Sequence, residues 1–335
     1  MKKVWLLFLF VHLFAHFGVG QSVIENPGKP LSKNPGRILR LKEVMRIIDE
    51  GKAFYFKLPW GLGVAGNGSV FVQDGIRFFK FDPNGEFVKN ILREGQGPGE
   101  ITTELTNFGV SEDEILLLCG PMSKIVRLDF DGKLIGEIIV EECRPDRVVG
   151  FFDNRCLVFD FKVISFDRKE GERPLDHTLF YCDEKGSCES IPGSFPTKSY
   201  VRIRKLGGRT AVSGTPMTQL EFVGVQDRFL YISHTHEYLI KQFDLESNQI
   251  SKMFRRDFPR SKFEADDYRP FKYYNDVHRL VAHQNDVWVL TSAFDSEKGI
   301  LVDFFDEEGK YRDNFYLPLL NSKTGTAIIS CIFRS

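Results

Sequence analysis

Apolar residues along the chain come in short bursts that alternate with polar ones at a period of two, the spacing of half-buried strands and not of helices. Four stretches repeat one order: "SVFVQDGIRFFKFDPNGEFVKNI" from Ser69, "EILLLCGPMSKIVRLDFDGKLIGEI" from Glu114, "FLYISHTHEYLIKQFDLESNQISKM" from Phe229 and "DVWVLTSAFDSEKGILVDFFDEEGKYRDNF" from Asp286. Each runs through an apolar strand, a polar break, a second strand ending in Leu or an aromatic residue plus Asp, a turn, and a third strand. Those Asp residues are Asp82, Asp129, Asp244 and Asp306; a weaker copy, "HTLFYCDEKGSCESI", puts Cys182 at that position. "FDPNGE", "LDFDGK" and "FDEEGK" carry Asp first and Gly late. That order suits hairpins in which Asp binds the backbone and Gly takes positive φ.

A further strand precedes each unit, in "GLGVAGNG", "NFGVSED", "VVGFFDN", "FVGVQD" and "RLVAHQND". Four strands per unit at this spacing is the composition of a β-propeller blade. Only "LKEVMRIIDEG", Leu41 to Gly51, is ambiguous between strand and helix.

The glycine-rich run "REGQGPGE", residues 93–100, follows the first unit. A phosphate cradle needs such a run to enter a helix, normally with Lys and Ser or Thr after it. Here Glu100 and Ile101 follow Gly99, and the run joins two strand patterns, so it is expected to be a turn between blades.

The repeat resembles the NHL type of propeller unit, and with "EGQGPGE" the chain is similar to a family of secreted bacterial six-bladed propellers. The likeness spans residues 37–318. It implies an all-β propeller of four-stranded antiparallel blades in which "RILRL" (37–41) joins the C-terminal strand to close the ring. Only "TGTAIISCIFRS" remains after the fifth unit, so that closing blade, built from both termini, is expected to be thin.

Composition narrows the partners. A formal net charge of −1 offers no field for nucleic acid or an anionic membrane. Lys2 and Lys3, the apolar run Val4 to Val11, and Gly18 and Gly20 have the order of a secretory signal. A signal peptide at 1–20 and a propeller domain at 37–335 are expected, exported to the periplasm or beyond, with no stable membrane span after cleavage. Of six cysteines, only Cys182 and Cys188 are spaced for a bridge, across a five-residue hairpin loop. Cys119, Cys156 and Cys331 sit in apolar strand patterns and read as small buried residues.

Strand order places the connectors between blades, and the loops between second and third strands, on one face. Residues 95–100, 120–123, 234–237 and 295–298 and the third-blade insertion gather there, and propellers of the resembled kind commonly bind at that channel mouth. Candidate ligand residues are His234 and His236 of "HTHE", and Tyr268, Arg269, Tyr273 and Tyr274 of "DDYRPFKYYND". Aromatic residues beside Arg are favoured at binding hot spots. The two histidines lack a third metal ligand, and no catalytic motif or cofactor motif appears. The expected function is a non-enzymatic binding or scaffold module for a peptide, glycan or protein. The alternative is a metal-dependent, lactonase-like hydrolase with Glu100, Asn107 and Asp146 converging in the channel.

Overall fold

The computed structural model describes residues 22–48, 54–111, 113–163, 169–192, 195–206, 209–216, 220–225, 228–262, 272–283 and 286–318. The strands of the four repeated units fall where period two puts them. The first blade is Pro59–Val64, Val70–Asp74, Arg77–Phe81 and Phe87–Asn90, hydrogen-bonded in that order. The second is Asn107–Val110, Glu114–Cys119, Lys124–Asp129 and Leu134–Ile139. The fourth runs Leu220–Val225, Phe229–His234, Ile240–Asp244, Gln249–Arg256, and the fifth Val277–His283, Asp286–Asp295, Gly299–Phe305, Tyr311–Leu317.

The third blade departs from the pattern. Pro145–Phe152, Arg155–Val163 and Gly171–Cys182 form its inner part, and only Cys188–Ser190 stands for the outer strand. The expected insertion lengthens the central hairpin, and a further hairpin, Phe195–Leu206 with Arg209–Pro216, extends the same sheet. The only helical turn among the described residues is Gly120–Met122, so 41–48 is not helical. No helix is long and apolar enough to cross a membrane among the described residues.

Successive first strands pack side by side, from Pro59–Val64 through Asn107–Val110, Pro145–Phe152 and Leu220–Val225 to Val277–His283, and so surround a channel. Each blade buries both faces, which turns second strands such as "EILLLC" continuously apolar. Ile115 and Leu117 face Phe71 and Phe78 of the first blade, whereas Leu116 and Leu118 face Val148 and Val158 of the third. Leu157 and Phe159 then meet Leu230 and Ile232, and Tyr231 meets Val287 and Phe305.

Four hairpins share one turn geometry. Gly85, Gly132, Gly186 and Gly309 each take positive φ and donate to the carbonyl of an Asp three residues earlier. The carboxylates of Asp82, Asp129, Asp183 and Asp306 accept backbone N–H groups two and four residues on. In the third blade it is therefore Asp183 that performs this task, one residue beyond the expected Cys182. Cys182 instead stands opposite Cys188 and forms the expected disulfide with it. Cys119 and Cys156 are fully buried, and Cys331 lies outside the described residues.

The N-terminal segment is a belt. Val23–Asn26, upstream of the expected domain start at 37, adds in parallel to the outer strand of the fourth blade. Arg37 and Ile38 of "RILRL" add in parallel to Tyr311–Leu317, the outer strand of the fifth. The expected pairing partner was instead the C-terminal stretch 324–335, which lies outside the described residues. Met45, Ile47, Phe54 and Phe56 then cover the apolar face of the first blade that is turned away from the second, and Leu39 packs on the face of the fifth that is turned away from the fourth.

Candidate functional site

The first strands of all five described blades line a cavity of about 760 Å³ in the channel. Its wall includes Trp60, Gln73, Asn107, Asp146, Arg147, Glu221 and Arg279. Local strand geometry aims these groups. Register shifts lie between Pro59 and Gly61, Pro145 and Arg147, and Val277 and Arg279. Each such bulge leaves one residue unpaired, here Trp60, Asp146 and His278, and turns its side chain away from the ladder. Small residues bring the walls together: a Cβ on Gly61 or Gly63 would collide with Phe108 of the second blade.

Two cations and two acids share this space. Arg147 donates Nη1 to the Leu220 carbonyl at 3.0 Å, joining the third and fourth blades. Burial pushes the Asp146 carboxyl up to about 6, against the pull of Arg147, and its Oδ1 is buried without a hydrogen-bond partner. Burial likewise raises Glu221, although Arg279 and Arg147 both oppose it. Gln73 is fully buried; its Nε2 donates to the Leu105 carbonyl at 2.8 Å, while Oε1 accepts nothing. The wall thus mixes cationic donors with carboxylate and amide acceptors, a set suited to holding a polar ligand by several hydrogen bonds.

The glycine-rich run is a turn closed by its own carboxylate. Gly97 N–H donates to Glu100 Oε2 at 2.9 Å, and Gly95 and Gly99 take positive φ. Gly99 N–H donates to Glu137, and buried Lys124 donates to the Glu100 carbonyl at 2.9 Å while pairing with Glu137. An anion is already in place, so phosphate has no seat. Of the residues named for the hydrolase alternative, Asn107 and Asp146 line the cavity and Glu100 does not: Glu100 closes its own turn, and Asn107 Oδ1 accepts from Val148 N–H at 3.1 Å, bracing two blades.

Of the aromatic connector, Tyr273 and Tyr274 are among the described residues and stand outside the channel wall. Tyr268 and Arg269 lie outside the described residues. Arg260 stands 4.6 Å from the centre of the Tyr273 ring, donates Nε to Asp276 at 2.9 Å, and donates to the His236 carbonyl at 3.0 Å. One face of Tyr273 is thus covered by a cation from within the chain, while Tyr274 is 44% exposed. Burial lowers His236, with Arg260 adding to the effect. His234 is pushed down to about 4 by burial, and buried Thr235 accepts from Val277 N–H, so "HTHE" is no exposed loop. None of His234, His236, Tyr273 and Tyr274 lines the cavity. The residues that do line it carry a faint signal: single charges inside apolar first strands, as in "PDRVVGFF", "LEFVGV" and "VHRLVAH".

The chain belongs to the DUF5128 family, described as a 6-bladed beta-propeller, whose model matches residues 65–316. A member of the DUF4221 family from Bacteroides vulgatus ATCC 8482 shares the fold, with a TM-score of 0.53 at 9% identity over 84% of this chain and 87% of that one. A protein from Bacteroides fragilis NCTC 9343, provisionally described as exported, gives 0.47 at 13% identity over 88% and 80% of the respective chains. A protein of unknown function from Bacteroides caccae gives 0.44 at 13% over 76% and 80%. No curated protein matches the chain.

Proposed function

With membership of a propeller family as the premise, we propose that this protein is an exported, non-enzymatic binding module whose ligand seat is the channel mouth. One observation carries the reading. Every described blade contributes its first strand to a single polar cavity, where Arg279, Arg147, Glu221 and Asp146 meet. A seat assembled from five blades is rigid because each wall is held by buried inter-blade cores, and rigid walls lower the ordering cost of binding. The groups present fit a peptide, a glycan or an exposed segment of a partner protein. Export follows from the basic and apolar N-terminal pattern, and the disulfide suits an oxidising compartment.

The test is an array of glycans and peptides probed with the native protein and three variants. Arg279→Ala and Glu221→Gln are expected to weaken each hit by roughly tenfold or more, the scale of one lost charged hydrogen bond. Tyr274→Ala should leave the same hits intact. Hits abolished by Tyr274→Ala and retained by both channel variants would move the seat to the aromatic connector.

A further inference from the structure

The third blade's disulfide has a third sulfur beside it. Cys143 lies on the connector between the second and third blades, and its Sγ is 3.9 Å from Cys188 Sγ. The sulfurs of Cys143, Cys182 and Cys188 all lie within 4.8 Å of one another. Three local features gather them. The ladder register sets Cys182 opposite Cys188. Gly186 then lets the hairpin turn sit directly on the Ile139 carbonyl, where any Cβ would overlap the oxygen. Finally, Glu142 accepts the Cys188 backbone N–H at 2.9 Å, fixing the connector beside the hairpin. Leu116, Val140 and Val148 surround the group in one apolar cluster.

We propose that Cys143, Cys182 and Cys188 form a thiol–disulfide exchange site that moves the covalent link from within the third blade's outer hairpin to between that hairpin and the connector entering the blade. The Cys143 thiolate attacks Cys188 Sγ, the Cys143–Cys188 bond forms, and the Cys182–Cys188 bond breaks with its electron pair leaving on Cys182. The proton given up by Cys143 is taken up by Cys182, so the step is isomerisation without net oxidation. The attacking sulfur has to close by about 2 Å to reach bonding distance, a movement within reach of a connector. Cys119 and Cys156 are buried as well but stand outside this three-sulfur group, and it is that placement which leaves them out of the exchange.

The relocated link has a consequence at the channel. The connector that carries Cys143 runs straight into Pro145–Phe152, whose Asp146 and Arg147 line the cavity. Linking Cys143 to the outer strand of the third blade would tether that wall, a regulatory consequence that rests on the channel-mouth reading. The exchange itself does not.

Mass mapping tests the exchange without any ligand. The native protein is held at alkaline pH in a glutathione redox buffer, acid-quenched, alkylated and digested. Two linked peptides are expected, Cys182–Cys188 and Cys143–Cys188, and Cys143→Ala should retain the first and lose the second. Oxidised Cys182→Ala should lose both remaining reactive thiols of the cluster to a Cys143–Cys188 bond. A native protein yielding Cys182–Cys188 alone, or pairing Cys156 with Cys182, overturns the proposal. So does a folded Cys182→Ala in which Cys143 and Cys188 are both alkylated. Should Cys182→Ala fail to fold, the native mapping decides by itself.

Discussion

Asp303 has no exposed surface, and neighbouring strands fill both of its carboxylate oxygens. Arg256 Nε and Nη2 and the Tyr238 hydroxyl converge on Oδ2 at 2.6–2.7 Å, and the Tyr311 hydroxyl donates to Oδ1 at 2.7 Å. The Arg256 guanidinium also lies 4.7–5.1 Å from the ring centres of Tyr238, Phe258 and Tyr311. This network locks the outer strand of the fourth blade to the fifth. Asp303→Ala would leave Arg256 charged and buried without its partner, a change expected to cost about 3–5 kcal/mol. Urea unfolding should show the midpoint fall accordingly; an unchanged midpoint would deny the lock. Asp146 presents the opposite case, a carboxyl that the fold prefers protonated. Its folded value of about 6 lies above the ordinary carboxylate value, so its stabilising contribution is complete below about pH 4 and lost as pH rises through 6. Asp146→Asn should therefore raise the melting temperature at pH 8 and leave it unchanged at pH 4. A variant less stable than the native protein at pH 8 would show that the charge is held favourably.

The hairpin turns show how far element structure follows from residue order. Gly186 and Gly85 share positive φ, yet an added methyl would meet the Ile139 carbonyl at the first and the flexible Met45 side chain at the second. Both Ala substitutions carry the left-handed penalty of about 1–2 kcal/mol. Gly186→Ala should cost clearly more, because a backbone oxygen cannot step aside; equal losses of melting temperature in the two variants would contradict the packing. These turns, and the strands around them, were legible because "DPNG" and "DEEG" state their own geometry and apolar alternation states the buried faces. The repeat alone aligns Cys182 with the turn Asp because the third copy is offset by one residue, and Asp183 beside it does that work. The belt strand Val23–Asn26 was not legible, and Arg37–Ile38 was legible as a strand but not in its partner, since both pair in parallel through backbone at blade edges and need no side-chain pattern. The hairpin at 195–216 alternates well but lies outside the repeat. The channel wall was hardest to see: Trp60 and Asp146 reach it through bulges, and a bulge is a property of paired strands that one strand's sequence does not record.

At the level of the molecule, one contact recurs from blade to blade and shows where the N-terminal segment belongs. The turn glycines Gly132, Gly186 and Gly309 pack on Ile91, Ile139 and Phe254, each in or just after the outer strand of the preceding blade. Gly85 of the first blade packs in the same manner on Met45. Residues around Met45 thus hold the place of an outer strand in the interval between the fifth and first blades, in keeping with a six-bladed family. Val44, Tyr55 and Leu58 on this segment are 91%, 59% and 68% exposed, which leaves an apolar surface for the rest of that interval. The belt therefore ties three blade positions together while the five first strands shape the cavity. The seat in that cavity is the claim on which the functional account depends. It is tested most directly by a crystal structure of the protein bound to the strongest ligand that the array selects. The account predicts ligand density in the channel mouth, hydrogen-bonded to Arg279 and Glu221. Density seated on Tyr274 and the connector, with the channel occupied by water alone, would contradict it.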